Sequence, residues 1–531
     1  MKLPNILFVV IDCARSDKWL GTGRTTITPN LDRLCHEGIS FPTVIAEKSF
    51  TLPAFSSLLT GLYSPRHGVH MAWGYRLPEQ LPVLTHILGE RGYTTYAEVT
   101  GPMIPEMGLQ RAFDRYVYRA PCDYLHTAWG KQFVQCLQNG CYREPWFLLL
   151  HLFELHKERH VSAGHNRPES GCDRYERAVS SLDSELGRVF SAAGDNCLIV
   201  VTGDHGEKTK SEVFKEGTAV SYASKLLDLE KARGMPLYQL AFWAGPSLLQ
   251  NIYMDLLVLM PEIKLEDAKK KLHFGKWISL CDKFRLLRLA PRIRLFDLFS
   301  IGKPLKQTSL LQKCGLLDEG QSQRRLKQFA KRIGKEKLHE MGLRMWINSF
   351  RNNLSEGHGM HVYDYLVRVP LVMQWHGQLP AGIVFRRMVR QPDIMPTILD
   401  IIRMDWRRMG NIDGQSFFPL IEGKSWHPLP AYLSVSGCPP ELELRGIRTE
   451  EYKYIFGAKN SALPEELYDL QRDPFEKQNS AKKKPELCES LRKIANRFIP
   501  GEGEAESKPV TFNPEQQRKI TKYLRGLGYI D

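Results

Sequence analysis

Asn5-Ile6-Leu7-Phe8-Val9-Val10-Ile11-Asp12 is an apolar run that ends in a carboxylate. A strand with one face in water alternates apolar and polar residues. This run has no polar face, so both of its sides must be covered. Three similar runs follow at residues 93–99, 146–153 and 197–203, with helix-like patterns at 82–91 and 175–193. Strands and helices alternating in this way predict an α/β fold built on a doubly wound, mostly parallel sheet. In such sheets ligands collect beyond the carboxyl ends of the strands.

Those ends carry chemistry. The first run stops at Asp12, the third leads into His151, Glu154 and His156, and the fourth into Asp204-His205-Gly206-Glu207. Any one of these residues is readily explained as an exposed loop group. A further stretch, Ser49-Phe50-Thr51-Leu52-Pro53-Ala54-Phe55-Ser56-Ser57-Leu58-Leu59-Thr60-Gly61, reads as a short helix with Pro53 in its first turn and Gly61 as its left-handed stop. Thr51 then lies at the helix mouth, where free N–H groups favour negative charge. By itself it reads as an N-cap, a role threonine fills well. Together with acids and histidines at successive strand ends, it reads as a hydroxyl presented to an anionic ester.

The segment around Thr51 resembles the active-site signature of the sulfatase family of the alkaline phosphatase superfamily: Cys or Ser, then x-Pro-x-Arg-x-x-Leu-Leu-Thr-Gly. Pro53, Leu58, Leu59, Thr60 and Gly61 fall in register, while Thr51 takes the Cys/Ser position and Phe55 the Arg position. Further blocks resemble the family in order. They are Asp12 with Asp17, Thr28-Pro29-Asn30-Leu31-Asp32, Pro65-Arg66-His67-Gly68, and Val201-Thr202-Gly203-Asp204-His205-Gly206-Glu207. Later come Gly357-His358-Gly359 with Tyr363-Asp364, then Gln391-Pro392-Asp393. Gly446-Ile447-Arg448-Thr449 and Glu466-Leu467-Tyr468-Asp469 resemble the family's small C-terminal antiparallel sheet. The implied organisation is a catalytic domain in two parts (1–207 and 357–430), a basic, mainly helical insertion (208–356) and a C-terminal subdomain (431–531).

The resemblance implies one divalent cation, rather than a two-zinc pair, at Asp12, Asp204 and His205. Thr51 would be both fourth ligand and attacking group. It also implies that His156 and His358 contact the substrate or the leaving group. The family's second Asp is Cys13 here, which leaves Ca, Mn, Mg and Zn open. Sulfatases oxidise their Cys or Ser to formylglycine, an aldehyde. Threonine is a secondary alcohol, and the same oxidation would give a ketone, so formylglycine is not expected. A threonine nucleophile is similar to that of the superfamily's phosphodiesterases and phosphotransferases. Phosphate esters or diesters are therefore favoured as substrates, with sulfate-ester hydrolysis as the alternative. A non-catalytic, sulfatase-like binding protein is the reading from another class, encouraged by Phe55 and Cys13.

The 531 residues are 43% hydrophobic and 25% charged, ordinary globular values that exclude a disordered or fibrous chain. The net charge of +14 is localised: residues 264–351 hold 22 Lys and Arg against 8 Asp and Glu. There basic residues interleave with Leu, Ile, Trp277, Phe284, Phe296 and Phe299, and Pro291 interrupts any single helix. The stretch reads either as a solvated helical cap or as a surface for an anionic membrane or a glycan- or lipid-linked partner. Nucleic acid is not expected, since no binding motif accompanies the charge. The eleven cysteines show no paired spacing and read as free thiols of a reducing compartment. With no secretory signal before residue 5 and no run near the ~20 apolar residues that span a bilayer, a cytoplasmic, at most membrane-peripheral, location is expected.

Overall fold

The structure, a computed structural model, describes residues 2–71, 74–156, 159–209, 357–359, 361–407, 410–436, 443–459, 463, 465–499 and 512–526. They belong to one compact unit, Met1–Thr209 with Gly357–Asp531. The basic stretch at 264–351, and the expected insertion beyond Thr209, lie outside the described residues.

Nine strands make the main sheet among the described residues. They are β1 (Asn5–Ile11), β2 (Ile39–Ile45), β3 (Thr94–Val99), β4 (Arg115–Tyr118), β5 (Trp146–Leu152), β6 (Cys197–Gly203), β7 (Arg368–Gln374), β8 (Ile383–Val384) and β9 (Val389–Arg390). Their order is β4-β3-β5-β1-β6-β7-β2-β8, with β9 also pairing β2. From β4 to β6 every pair is parallel. Only β7 is reversed, antiparallel to both β6 and β2. The sheet is thus the mostly parallel one expected.

The lack of a polar face on β1 has a direct structural cause. Ile6, Phe8 and Val10 enter one core, with Leu58 and Leu59 of the Thr51–Thr60 helix. Leu7, Val9 and Ile11 enter the other, with Val179, Leu186 and Val189 of the Arg174–Ala192 helix. Successive side chains point to opposite faces, so a strand between two helical layers must be apolar throughout. The 19-residue Arg174–Ala192 helix starts where Asp173 caps it, its side chain accepting the Glu176 N–H at 2.9 Å. The sequence signals for β2 are poorer because Pro42 interrupts it. Proline cannot donate to a ladder, and the β2–β7 register shifts between Phe41 and Val44.

A second, antiparallel sheet of β10 (Ala431–Val435), β11 (Leu444–Arg448), β12 (Tyr452–Gly457) and β13 (Glu466–Asp469) follows in that order. One face packs Ile447, Tyr454 and Leu467 against Leu491 and Ala495 of the Pro485–Asn496 helix. Lys453 of β12, fully buried, reaches Asp364 at 2.5 Å and Glu476 at 2.7 Å, and so ties this sheet to the segment that leads into β7. The eight described cysteines are free. Among the described residues no helix is long and apolar enough to cross a membrane.

Candidate active site

Because β1, β5, β6 and β2 run in one direction, Asp12, the His151–His156 segment, Asp204 and the start of the Thr51–Thr60 helix all lie at the same edge of the sheet. Thr51 is the first residue of that helix. Phe50, extended at φ −140° and ψ 135°, occupies the cap position and makes no side-chain cap. The plain capping role considered for Thr51 is therefore not the one it plays. Its hydroxyl donates to Asp12 Oδ2 at 3.1 Å and lies 3.5 Å from His205 Nε2. At the other end, Gly61 adopts φ +67° and donates its N–H to Ser57 O at 2.9 Å, the left-handed stop expected.

Asp12, Asp204 and His205 are fully buried and form a group whose ligand atoms lie within 4.8 Å of one another. His205 Nδ1 sits 2.9 Å from Gly206 O, which can only accept, so the proton is on Nδ1 and the Nε2 lone pair faces Thr51 and Asp204. Burial lowers the His205 pKa to about 4, and the charge of His358 adds to this. Burial opposes ionisation of Asp12 too, but His151, His156 and His205 outweigh it and hold this carboxyl well below the usual range. Asp204 goes the other way: burial and then the Asp12 charge push it well above. Two carboxylates that cannot both ionise side by side are what a cation would relieve.

Unpaired atoms point the same way. Asp12 Oδ1 and Asp204 Oδ2 are buried without a hydrogen-bond partner among the described residues. Such groups are costly unless something fills them. Two carboxylates and an imidazole lone pair suit a divalent cation, so the residues fit the group.

The later histidine arrives by a different route. Lys208 and Gly357 exchange backbone hydrogen bonds at 3.3 and 3.2 Å, which sets residues 357–359 beside the end of β6. Gly359, at φ +86°, donates its N–H to Ser49 Oγ at 2.9 Å, and a Cβ there would meet the Phe50 ring at 2.5 Å. Only glycine allows the loop to approach the Thr51 helix so closely. His358 Nδ1 then lies 3.0 Å from Glu207 Oε2. Burial opposes the charge of His358 and Glu207 more than restores it, so its pKa is raised. In turn Glu207 is brought down to about 2 against its own burial, mainly by His358. The His156 ring lies edge-on to that of His358, centroids 5.3 Å apart, and burial lowers its pKa to about 4.

All the expected site residues, Asp12, Thr51, His156, Asp204, His205 and His358, therefore come together. His151 and Glu154 stand behind them. His151, fully buried, lies between Thr100 O at 3.2 Å and Asp12 Oδ2 at 3.5 Å, and Glu154 Oε1 accepts the Leu125 N–H at 2.9 Å. Phe55, in the signature's Arg position, has no exposed surface and points its edge at the His151 ring, centroids 4.8 Å apart.

Sequence reasoning put Cys13 at the position of the family's second Asp and Glu207 at the end of the fourth run, but gave neither a role in the site. Cys13 adopts φ +61°, strained for a non-glycine residue, and its N–H donates to Asp204 Oδ1 at 3.1 Å. The adjacent Asp-Cys and His-Gly-Glu were the available signals.

A family model described as Sulfatase matches residues 4–271, and one described as N-sulphoglucosamine sulphohydrolase, C-terminal, matches residues 359–499. Among curated relatives, arylsulfatase K of Homo sapiens is 32% identical over 140 residues, which is 25% of this chain and 26% of the relative. Arylsulfatase K of Danio rerio is 29% identical over 145 residues, 26% of this chain and 27% of the relative, so the matched part spans about a quarter of these proteins. Arylsulfatase D of Homo sapiens is 25% identical over 471 residues, 79% of this chain and 68% of the relative. Two solved structures share the fold. Ps i-CgsB has a TM-score of 0.57 at 16% identity, covering 99% of this chain and 98% of that one. The phosphonate monoester hydrolase of Agrobacterium radiobacter has 0.54 at 16%, covering 96% and 100%.

Proposed function

The chain belongs to the sulfatase family, and from that premise we propose that it is a metal-dependent hydrolase or transferase of anionic esters with Thr51 as its covalent nucleophile. Phosphate mono- or diesters are its favoured substrates. The observation that carries this reading is the Thr51 hydroxyl, fully buried at the first turn of a helix, 3.1 Å from Asp12 Oδ2 and 3.5 Å from the His205 lone pair. A divalent cation held by Asp12, Asp204 and His205 would neutralise the ester oxygens and lower the pKa of the hydroxyl.

The chain's own groups do the rest. Thr51 Oγ1 bonds to the central atom of the ester as the bond to the departing oxygen breaks; the hydroxyl proton is lost to solvent, and the departing oxygen takes up a proton from solvent. The N–H groups of Thr51 and Leu52, which begin the helix and have no acceptor within it, are placed for anionic oxygens. His156, kept neutral by burial, offers an N–H to the departing oxygen, and the His358 charge sustained by Glu207 stabilises what develops there. Residues 1–207 and 357–430 carry this machinery, with 431–531 as the C-terminal subdomain and 208–356 as an insertion.

Sulfate-ester hydrolysis is the second reading, favoured by the arylsulfatase relatives. One solved neighbour is described in complex with its substrate D-glucosamine-2-N,6-O-disulfate, which makes glycan-linked esters a class to include. Phosphate is preferred because Thr51 cannot become an aldehyde and because Phe55 removes the guanidinium of the sulfatase signature. The test is turnover of aryl phosphate, phosphodiester, phosphonate and sulfate esters, each with Zn, Mn, Mg and Ca supplied, alongside mass spectrometry of the peptide carrying Thr51. Phosphate-ester turnover with an unmodified threonine is expected. Sulfate turnover alone, or an oxidised residue at position 51, would overturn the preference.

A further inference from the structure

Beside the Asp12–Asp204–His205 group stands a second set of ligand-type atoms. Cys13 Sγ lies 3.2 Å from Glu207 Oε2 and 3.7 Å from His358 Nδ1, and the latter two are 3.0 Å apart. The point equidistant from the three atoms is about 1.9 Å from each, so an ion at the ~2.0–2.3 Å of zinc–nitrogen, –oxygen and –sulfur bonds fits just above their plane. Tetrahedral coordination at those bond lengths sets neighbouring ligand atoms about 3.4–3.6 Å apart, close to the triangle observed. Cys13 and Glu207 are buried, 0% and 2% exposed, and Glu207 Oε1 has no hydrogen-bond partner among the described residues.

We infer that Cys13, Glu207 and His358 form a second cation position, specific for a thiophilic divalent ion such as zinc. His205 belongs both to the first ligand group and to a Cys13–His205–His358 group, which sets the two positions side by side. Asp12 and Asp204 supply two negative charges to the first position, and Glu207 with a metal-bound Cys13 thiolate would supply two to the second, so each position matches a divalent ion in charge. A thiolate selects against calcium and magnesium, which take oxygen ligands. It also accounts for the strained backbone of Cys13, which turns the Sγ toward Glu207 and His358 while its N–H is held by Asp204. The proton displaced from the thiol leaves to solvent as the ion binds. With this position filled, His358 would serve as a ligand, and the neutral His156 would remain the group that hydrogen-bonds the departing oxygen.

This inference concerns which groups hold cations, and it stands whether or not Thr51 is the nucleophile. The test uses the purified full-length chain, stripped with chelator and titrated with cobalt(II). Two equivalents should bind, and a thiolate-to-cobalt charge-transfer band should appear in the near ultraviolet. Cys13→Ser should lose that band and fall to one equivalent, and zinc content by elemental analysis should fall from two per chain to one. Cys13→Ala, checked by thermal melting, serves if the serine variant folds poorly. Thr51→Val should keep the band, which separates this inference from the nucleophile reading. One equivalent in the wild type, or two without a thiolate band, overturns the second position. So does a band that persists in Cys13→Ser.

Discussion

Replacing Thr51 by valine is the sharpest perturbation of the proposed chemistry. Valine keeps the branched shape of threonine and removes only the hydroxyl, at a position with no solvent exposure. The lost interaction is one hydrogen bond, 3.1 Å long, to a carboxylate whose other oxygen has no partner. A hydrogen bond to a charged group contributes about 1.5–3 kcal/mol, so folding should weaken by that order and no more. Catalysis should respond on another scale. If Oγ1 is the atom that bonds to the ester, its removal leaves only the surrounding electrostatics, and losses of roughly 10⁴–10⁶ in rate follow. That corresponds to about 5–8 kcal/mol of barrier. Thr51→Ser, which restores a hydroxyl on the same carbon, should recover activity to within about tenfold. The assay is turnover of an aryl phosphate ester by the metal-reconstituted enzyme, with a thermal melt of each variant. A Thr51→Val enzyme that melts normally and retains more than about a tenth of wild-type turnover would refute the reasoning.

Other outcomes follow from the same packing and charges. Phe55→Ala opens a cavity beneath His151 and should cost about 3–5 kcal/mol in denaturant unfolding, since Phe55 is fully enclosed; a loss under 1 kcal/mol would mean the core refills. Lys453→Met leaves the buried Glu476 carboxylate without its cation and Asp364 with Arg448 at 3.2 Å, and should cost about 3–5 kcal/mol, read from the same unfolding curves. Burial, then Lys48, lowers the His70 pKa to about 3, so the fold favours its neutral form. Stability is then full above the unfolded value near 6.5 and is lost as pH falls below it, by about 2 kcal/mol at pH 5. His67, pushed well below its usual value by burial and then His70, acts in the same direction. His70→Gln should flatten the pH dependence of the urea midpoint between pH 7.5 and 5, and an unchanged slope would rule His70 out.

What the sequence determined alone is what depends on near neighbours along the chain. The two-sided burial of β1 followed from its uninterrupted apolar run, because a strand with one wet face must alternate. The Gly61 stop of the Thr51–Thr60 helix followed from the need for a left-handed residue after its last turn. The convergence of Asp12, Asp204 and Thr51 was legible because parallel strands deliver their carboxyl ends to one edge. The tertiary structure alone decided what those neighbours cannot encode. Cys13 meets Glu207 across 194 positions and His358 across 345. That meeting depends on β1 lying beside β6 and on the Lys208–Gly357 bridge. The reversal of β7 and the seating of Phe55 against His151 likewise arise from strand order and packing. Local periodicity specifies which faces of an element are buried, whereas the partners they are buried against are set by closing long loops over a shared core, a choice made by the whole chain at once.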